Sequence, residues 1–400
     1  MKLIYITSSL PCGEGEAFVL SEIKELQRQG HEVLVVPTNP RGKIVHCDAK
    51  DILFRLQPLI SESIIKGAIK TFIRSPRRAI NALSLLITFN PVHLVKNLCI
   101  YFKGLWLAEE AKSWGAEHIH SHWAASMASM AMVASEASGI AWSFTAHRWD
   151  IVENNILVRK CMRAVFARFI SKSGLDMALR LGLSRAKARL LHIGVELPDI
   201  TAVDKGGKKN GMKVFTILCA ANLVAVKGHF FLIQAIANLI KQGRKVRLLI
   251  AGDGKLRSAL ENQVAKLKLS EWVIFLGHLP HEKLLELYWQ NQVDVFVLSS
   301  LDLGNGIHEG IPVALIEAMA FGVPAISTRT GGIPELLGDG AGILVPPRDP
   351  RALTQAIACL MDDPNLRRKL GQEGRKRVEK NFSVETVVRR LTEWFAEEKH

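Results

Sequence analysis

The chain has 400 residues, 48% of them hydrophobic and 22% charged, a globular composition with room for two domains of roughly 200 residues each. Its six cysteines are scattered without a CxxC or a His/Cys cluster, which points away from a zinc site or a disulfide framework and toward a reducing cytoplasm. Lys and Arg exceed Asp and Glu by 14, so an anionic partner is expected, whether nucleic acid, phosphorylated substrate or lipid surface.

In chain order, the first half offers strands at residues 3–8, 32–38, 118–123, 143–147, 166–171 and 189–194, with helices between them. The stretch from about 50 to 113 reads as a helical insertion. Its most apolar run, residues 79–95, is broken by Asn90, Pro91 and His93, and residues 124–142 by serines and Glu136, so neither should span a bilayer. No charged stretch, apolar region and cleavage site precedes the first strand, so no secretion is expected. Residues 64–80 and 159–190 are basic with interleaved Ile, Leu and Phe, the composition of an anionic membrane surface patch.

A polar segment rich in Gly and Lys, residues 197–213, reads as a linker, after which strands recur at 214–221, 246–252, 273–277, 294–300, 324–329 and 342–346. Strand and helix alternating in this way predict two α/β domains, each Rossmann-like and doubly wound around a parallel sheet, with ligand bound in an inter-domain cleft beyond the strands' carboxyl ends. The expected boundaries are 1–197, 198–380 and a C-terminal helix at 381–400 that packs back on the first domain.

The segment HEGIPVALIEAMAFG (residues 308–322) follows the strand at 294–300. Pro312 suits the first turn of a helix and Gly322 its end. The free N–H groups around Gly310, Ile311, Pro312 and Val313 would then bind a phosphate, with Glu309 before them and Glu317 roughly 7 Å along the axis. Carboxylates on both sides of an anion suit a sugar, a diphosphate and a ribose in sequence, which is a nucleotide sugar.

EGIPVALIEAMAFGVPAISTRTGGIPELL resembles the E-x7-E signature of family 4 retaining glycosyltransferases with the GT-B fold, the group 1 enzymes of exopolysaccharide and colanic-acid type. VKG at 226–228, LIAGDGKLRSALE at 249–261, VIFLGHLPHEKLLELY at 273–288 and GILVPPRDPRAL at 342–353 support it; the match covers nearly all of residues 213–380 and is weaker before. The resemblance implies that Glu317 holds the ribose, Glu309 the transferred sugar and Lys227 the diphosphate. It also sets Gly277 and His278 near the base, and His147, after a strand end, against the sugar. Gly13 and Gly15 would form an acceptor or phosphate loop, with His122 a further candidate. Where the family often has an arginine, this chain has Asn222, which carries no charge. Asp253 is either structural or a ligand contact.

No DxD stands at a strand end, so neither metal nor other cofactor is expected. The implied partners are a nucleotide-sugar donor, a saccharide or lipid-linked acceptor and an anionic membrane surface. The expected place is the cytoplasm, peripheral on the inner face of its membrane. A sugar epimerase or phosphorylase of the same fold and a non-catalytic nucleotide-sugar binder are the alternatives. Nucleic acid is not an expected partner, because the basic stretches lack an RNP pattern or zinc-finger spacing.

Overall fold

The computed structural model describes residues 1–12, 16–42, 44, 51–199, 214–304 and 306–397. Within them the chain divides into two compact units, Met1–Gly194 with the chain from Val384 on, and Val195–Ser383. The boundaries therefore fall at 194/195 and 383/384, three residues from the expected positions at each end. Most of the expected linker, residues 200–213, lies outside the described residues.

The first unit runs β1 (Lys2–Thr7), α1 (Ala17–Arg28), β2 (Glu32–Pro37), β3 (Leu53–Phe54), α2 (Glu62–Arg74), α3 (Pro76–Ser84), α4 (Pro91–Trp114), β4 (His118–His122), α5 (Ser126–Ser138), β5 (Ala141–Ala146), α6 (Arg148–Glu153), α7 (Leu157–Arg163), β6 (Ala167–Phe169), α8 (Lys172–Arg180) and β7 (Ala188–Leu190). All seven strands are parallel, in the order β3-β2-β1-β4-β5-β6-β7. The helical insertion is real as α2 to α4, but the two-residue strand β3 sits inside its expected span. So short an edge strand has no periodicity to read.

Alternation along β1 divides the core in two. Ile4 and Ile6 face α2, α4 and α5, whereas Leu3 and Tyr5 face α1 and the last helix, so both sides of the sheet are covered. Asn90 starts α4 by accepting the Val92 and His93 N–H groups at 3.0 and 3.2 Å, and Gly115 ends it at φ +75°.

The second unit continues with β8 (Phe215–Ala220), α9 (His229–Lys241), β9 (Val246–Ala251), α10 (Arg257–Lys266), β10 (Val273–Gly277), α11 (His281–Trp289), β11 (Val295–Leu298), α12 (Val313–Ala320), β12 (Ala325–Thr328), α13 (Ile333–Leu337), β13 (Ile343–Val345), α14 (Pro350–Asp362) and α15 (Pro364–Asn381). Its six parallel strands follow the same winding, β10-β9-β8-β11-β12-β13. Asp349 and Asp363 cap α14 and α15, each accepting two backbone N–H groups, with a proline next in line.

Helix α16 (Val384–Glu397) then returns to the first unit. It buries Val387, Val388, Leu391 and Phe395, with the Phe395 ring 4.7 Å from that of His118. Arg28–Glu385 and Arg189–Glu397 ion pairs, 2.6 and 2.7 Å, fix its two ends. Among the described residues no helix is long and apolar enough to cross a membrane.

Candidate active site

In the second unit the chemistry gathers where β8 and β11 diverge, the switch point of the winding. After β8 the chain makes a 3₁₀ turn at Ala225–Lys227, and Gly228 opens α9 at φ +65°. A Cβ at Gly228 would stand 2.0 Å from the Ser299 carbonyl oxygen, so only glycine lets the turn lie this close to the end of β11. Ser299 Oγ donates to the Gly228 carbonyl at 2.9 Å, and Leu301 N–H to the Val226 carbonyl at 2.7 Å. Lys227 is thereby held over the loop that follows β11.

That loop is pinned from its other side by the turn after β12. Gly331, at φ +53°, lies so near that a Cβ there would come within 1.8 Å of the Glu309 carbonyl oxygen, and Gly332 N–H donates to the Gly310 carbonyl at 3.1 Å. His308 Nδ1 is 2.7 Å from the Glu309 carbonyl. The result is a Lys227 Nζ–Glu309 Oε1 ion pair of 3.0 Å, with side chains only 19% and 13% exposed.

Pro312 is the residue before α12 rather than inside its first turn: its ψ of 123° is extended and its carbonyl accepts the Leu315 N–H. Ile311 and Pro312 are buried, Gly310 and Val313 half-buried. The first N–H groups of α12 have no carbonyl one turn back within the helix, which leaves them for an anion. Gly322, at φ +73°, follows its end.

Glu317, inside α12, accepts a 2.7 Å hydrogen bond from His281 Nε2 at the start of α11. This bond raises the His281 pKa above its ordinary value. His281 is thus an imidazole brought to Glu317; His278, three residues earlier, is exposed. Gly277 ends β10 at φ +69° and its carbonyl accepts the Gly252 N–H at 2.7 Å. Asn222 is exposed just beyond β8. Asp253 accepts from Leu223 N–H with its carbonyl and from Gly254 N–H with its carboxylate.

The first unit presents a buried polar network at the same strand ends. His122 Nε2 and His147 Nε2 lie 3.0 Å apart, because the β4–β5 register sets His122 beside Thr145, two residues before His147. Trp123, held at φ +122°, stacks on His147 with ring centroids 4.1 Å apart. Its indole N–H donates at 2.8 Å to Glu16, which also accepts the backbone N–H groups of Ser8, Ser9 and Leu10. One carboxylate therefore ties the loop after β1 to the tryptophan lying on His147. Gly13 and Gly15 of that loop lie outside the described residues.

Burial, then the neighbouring His122, keeps the His147 pKa well below its ordinary value, so the ring is neutral. Burial does the same to His120 and brings His118 down to about 3. Below them Arg168 donates to Glu22 at 2.7 Å, and Glu22 also accepts from Tyr5. Burial alone would raise the Glu22 carboxyl, but Arg168 and its hydrogen bonds hold it well below its usual range.

Ligand atoms of Glu22, His120 and His122 lie within 4.8 Å of one another, a grouping the sequence reading does not contain. All of them already have protein partners. His120 uses both ring nitrogens on Ser143 and Thr145, His122 bonds Tyr5 and His147, and Glu22 is paired with Arg168. A guanidinium 2.7 Å from the carboxylate would also repel a cation.

Residues 202–377 match the family described as glycosyl transferases group 1. All the second-unit candidates, from Asn222 and Lys227 to Glu309 and Glu317, fall within that segment.

Among curated relatives, a GDP-mannose-dependent monoacylated alpha-(1-6)-phosphatidylinositol monomannoside mannosyltransferase of Corynebacterium glutamicum is 33% identical over 177 residues, 44% of this chain and 45% of that protein. The amylovoran biosynthesis glycosyltransferase AmsK of Erwinia amylovora is 29% identical over 225 residues, 56% of this chain and 54% of its own. The chain thus spans about half the length of the curated relatives it matches. A solved structure of Anabaena Alr3699/HepE in complex with UDP superposes with a TM-score of 0.74 over 99% of this chain and 100% of that one, at 16% identity. At that identity the likeness is one of fold. The two doubly wound units, the second containing the matched segment, share the GT-B type of fold.

Proposed function

We propose that the chain is a retaining glycosyltransferase that moves a sugar from a nucleotide-diphosphate donor to a saccharide or lipid-linked acceptor, without a metal. Its place would be the assembly of a cell-surface polysaccharide, at the inner face of the cytoplasmic membrane. The observation that carries this reading is the shielded Lys227–Glu309 pair beside the N-terminus of α12. A cation, a carboxylate and free helix N–H groups in one place form a receptor for a diphosphate bonded to a polyol.

When the donor binds, its phosphates take over the Lys227 ammonium, and Glu309 is released to accept hydrogen bonds from sugar hydroxyls. Charge growing on the departing diphosphate is then met by Lys227 and the start of α12, groups fixed before the reaction begins. Glu317 accepts from the ribose hydroxyls with the oxygen that His281 leaves free. The neutral His147 serves as a hydrogen-bonding group to the transferred sugar rather than as an acid. Relatives and structural neighbours named for GDP-mannose and for UDP leave both bases in the donor panel.

The test is a panel of nucleotide sugars, scored first by thermal shift and then for transfer in EDTA. Transfer in EDTA that falls about a hundredfold or more in Lys227→Met and Glu309→Ala supports the reading. Activity restored only by a divalent ion would overturn the metal-free scheme. The uncharged Asn222 favours a second reading, a nucleotide-sugar binder without turnover; donor binding with no transfer to any acceptor would select it. Product formed from donor alone would select an epimerase.

A further inference from the structure

We infer that the outer face of α2, the α3–α4 loop and the first half of α4 is the surface by which the chain docks on an anionic membrane. This deepens the membrane placement proposed above by naming the surface. Its test uses no donor or acceptor, so it stands or fails apart from the transfer reaction.

Of the twenty-two large apolar side chains exposed among the described residues, twelve lie between residues 60 and 102. They are ordered rather than scattered. On α2 they are Ile65, Ile69, Phe72 and Ile73, spaced by four, three and one, one stripe of a helix that buries Ile64, Ala68 and Thr71 on the adjoining stripe. Ile87 and a fully exposed Phe89 follow on the α3–α4 loop, then Val92, Val95 and Phe102 on α4. A shallow depression on α2 is floored by Ile69 and Ile73 and rimmed by Lys66, Lys70 and Arg74. The loop is held in place, since Arg159 donates to the Leu85 and Ile87 carbonyls at 2.8 and 2.7 Å. An exposed apolar face this large needs a partner.

Charge selects the partner. Residues 60–102 contain six Lys or Arg (Lys66, Lys70, Arg74, Arg77, Arg78 and Lys96) and one acidic residue, Glu62, a surplus of five positive charges. Glu109 takes up part of it by pairing with Lys70 and Arg74, and Glu153 by pairing with Lys96, which leaves a surplus of three. Apolar side chains set among bases fit an acyl and headgroup boundary rich in anionic lipid. A second copy of the chain would bring two surpluses of the same sign together within a Debye length, which opposes self-association through this face.

The other basic stretch, residues 159–190, turns part of its charge inward. Lys160 is buried on the Ala124 and Ala125 carbonyls, Arg168 is buried on Glu22, and Lys187 donates to the Met162 and Ala164 carbonyls. Those three hold the fold together, while Arg163, Lys172, Arg180 and Arg185 are exposed with only Met162 and Leu181 as large exposed apolar neighbours in the stretch, so the proposal is made for the first stretch.

The experiment is sedimentation of the full chain with vesicles of phosphatidylcholine alone or mixed with phosphatidylglycerol. The expected result is binding to the mixed vesicles only, weakened by salt. Lys66→Gln and Arg77→Gln should each weaken it by about fivefold, the effect of one basic residue near an anionic surface. Ile73→Ser with Phe89→Ser should abolish it, whereas Phe230→Ser with Ile274→Ser, at exposed sites of the second unit, should not. Thermal melts matching the parent chain will show that the variants fold. Failure to sediment with the mixed vesicles, equal binding to both kinds, or retention of binding by the Ile73/Phe89 variant would overturn the proposal. So would a dimer of the parent chain that the same variant dissociates.

Discussion

The two units share a winding order but place their polar groups differently. In the first, charge and hydrogen bonding run through the interior: Glu22, Arg168, Lys103 and Lys160 are buried, as are three histidines of β4, His118, His120 and His122, and His147 just after β5. Lys103 donates to three carbonyls, those of Pro37, Thr38 and Gln57, and burial lowers its pKa to about 7. In the second unit the core is overwhelmingly apolar, and the pairs Lys227–Glu309 and His281–Glu317 stand in the loops and helix starts beyond the strands. Polar groups inside a sheet fix a structure, because leaving one unpaired is costly. Groups at the strand ends can exchange a protein partner for a ligand at little cost.

The sharpest way to break this comparison is to remove one cation from each unit. Arg168→Met leaves Glu22 buried with its charge uncompensated and should cost about 3–5 kcal/mol in urea unfolding. Lys227→Met, whose partner Glu309 keeps some access to solvent, should cost clearly less than Arg168→Met while removing most transfer. Equal destabilisation by the two would end the distinction. Next in size are the close approaches. Gly331→Ala puts a Cβ against the Glu309 carbonyl at a positive φ and should cost more than about 1 kcal/mol, with a matching loss of donor affinity in titration calorimetry.

Acid should separate the units further. His118, His120 and His147 have folded pKa values below the ordinary 6.5, so the unfolded chain takes up their protons first. Their contribution is complete above pH 6.5 and is lost as pH falls toward the folded values, about 3 for His118. Asp150, raised by burial to about 6, offsets one of the three. In the second unit His229 is lowered to about 4, the same sign, but His281 is raised and has the opposite one. Amide-exchange protection in β4 and β5 should therefore drop between pH 7.5 and 5.5 by more than in β8 and β11. The smallest effect belongs to His281. Its charged form grips Glu317 below its raised pKa, so donor affinity should rise with pH through that range, and His281→Ala should flatten the dependence.

Much of this was legible beforehand, for a local reason. Apolar runs with helical segments between them identified the strands of both sheets except β3, and the segment from Glu309 to Gly322 announced a helix start flanked by carboxylates. Sequence reasoning passed over His281, Glu16 and Trp123. Each is ordinary where it stands, and the HSHW run gives no hint that its tryptophan takes a left-handed backbone and lies on a histidine from the next strand.

By itself, then, the sequence determined the alternation of elements, the parallel winding and the residue types available at the strand ends, because periodicity and capping act within a few positions. Only the tertiary structure decided that Lys227 meets Glu309, that His281 holds Glu317, and that Arg168 serves the interior rather than a basic surface. Those pairings depend on strand order, register and the close approach of glycine turns, which join positions far apart in the chain.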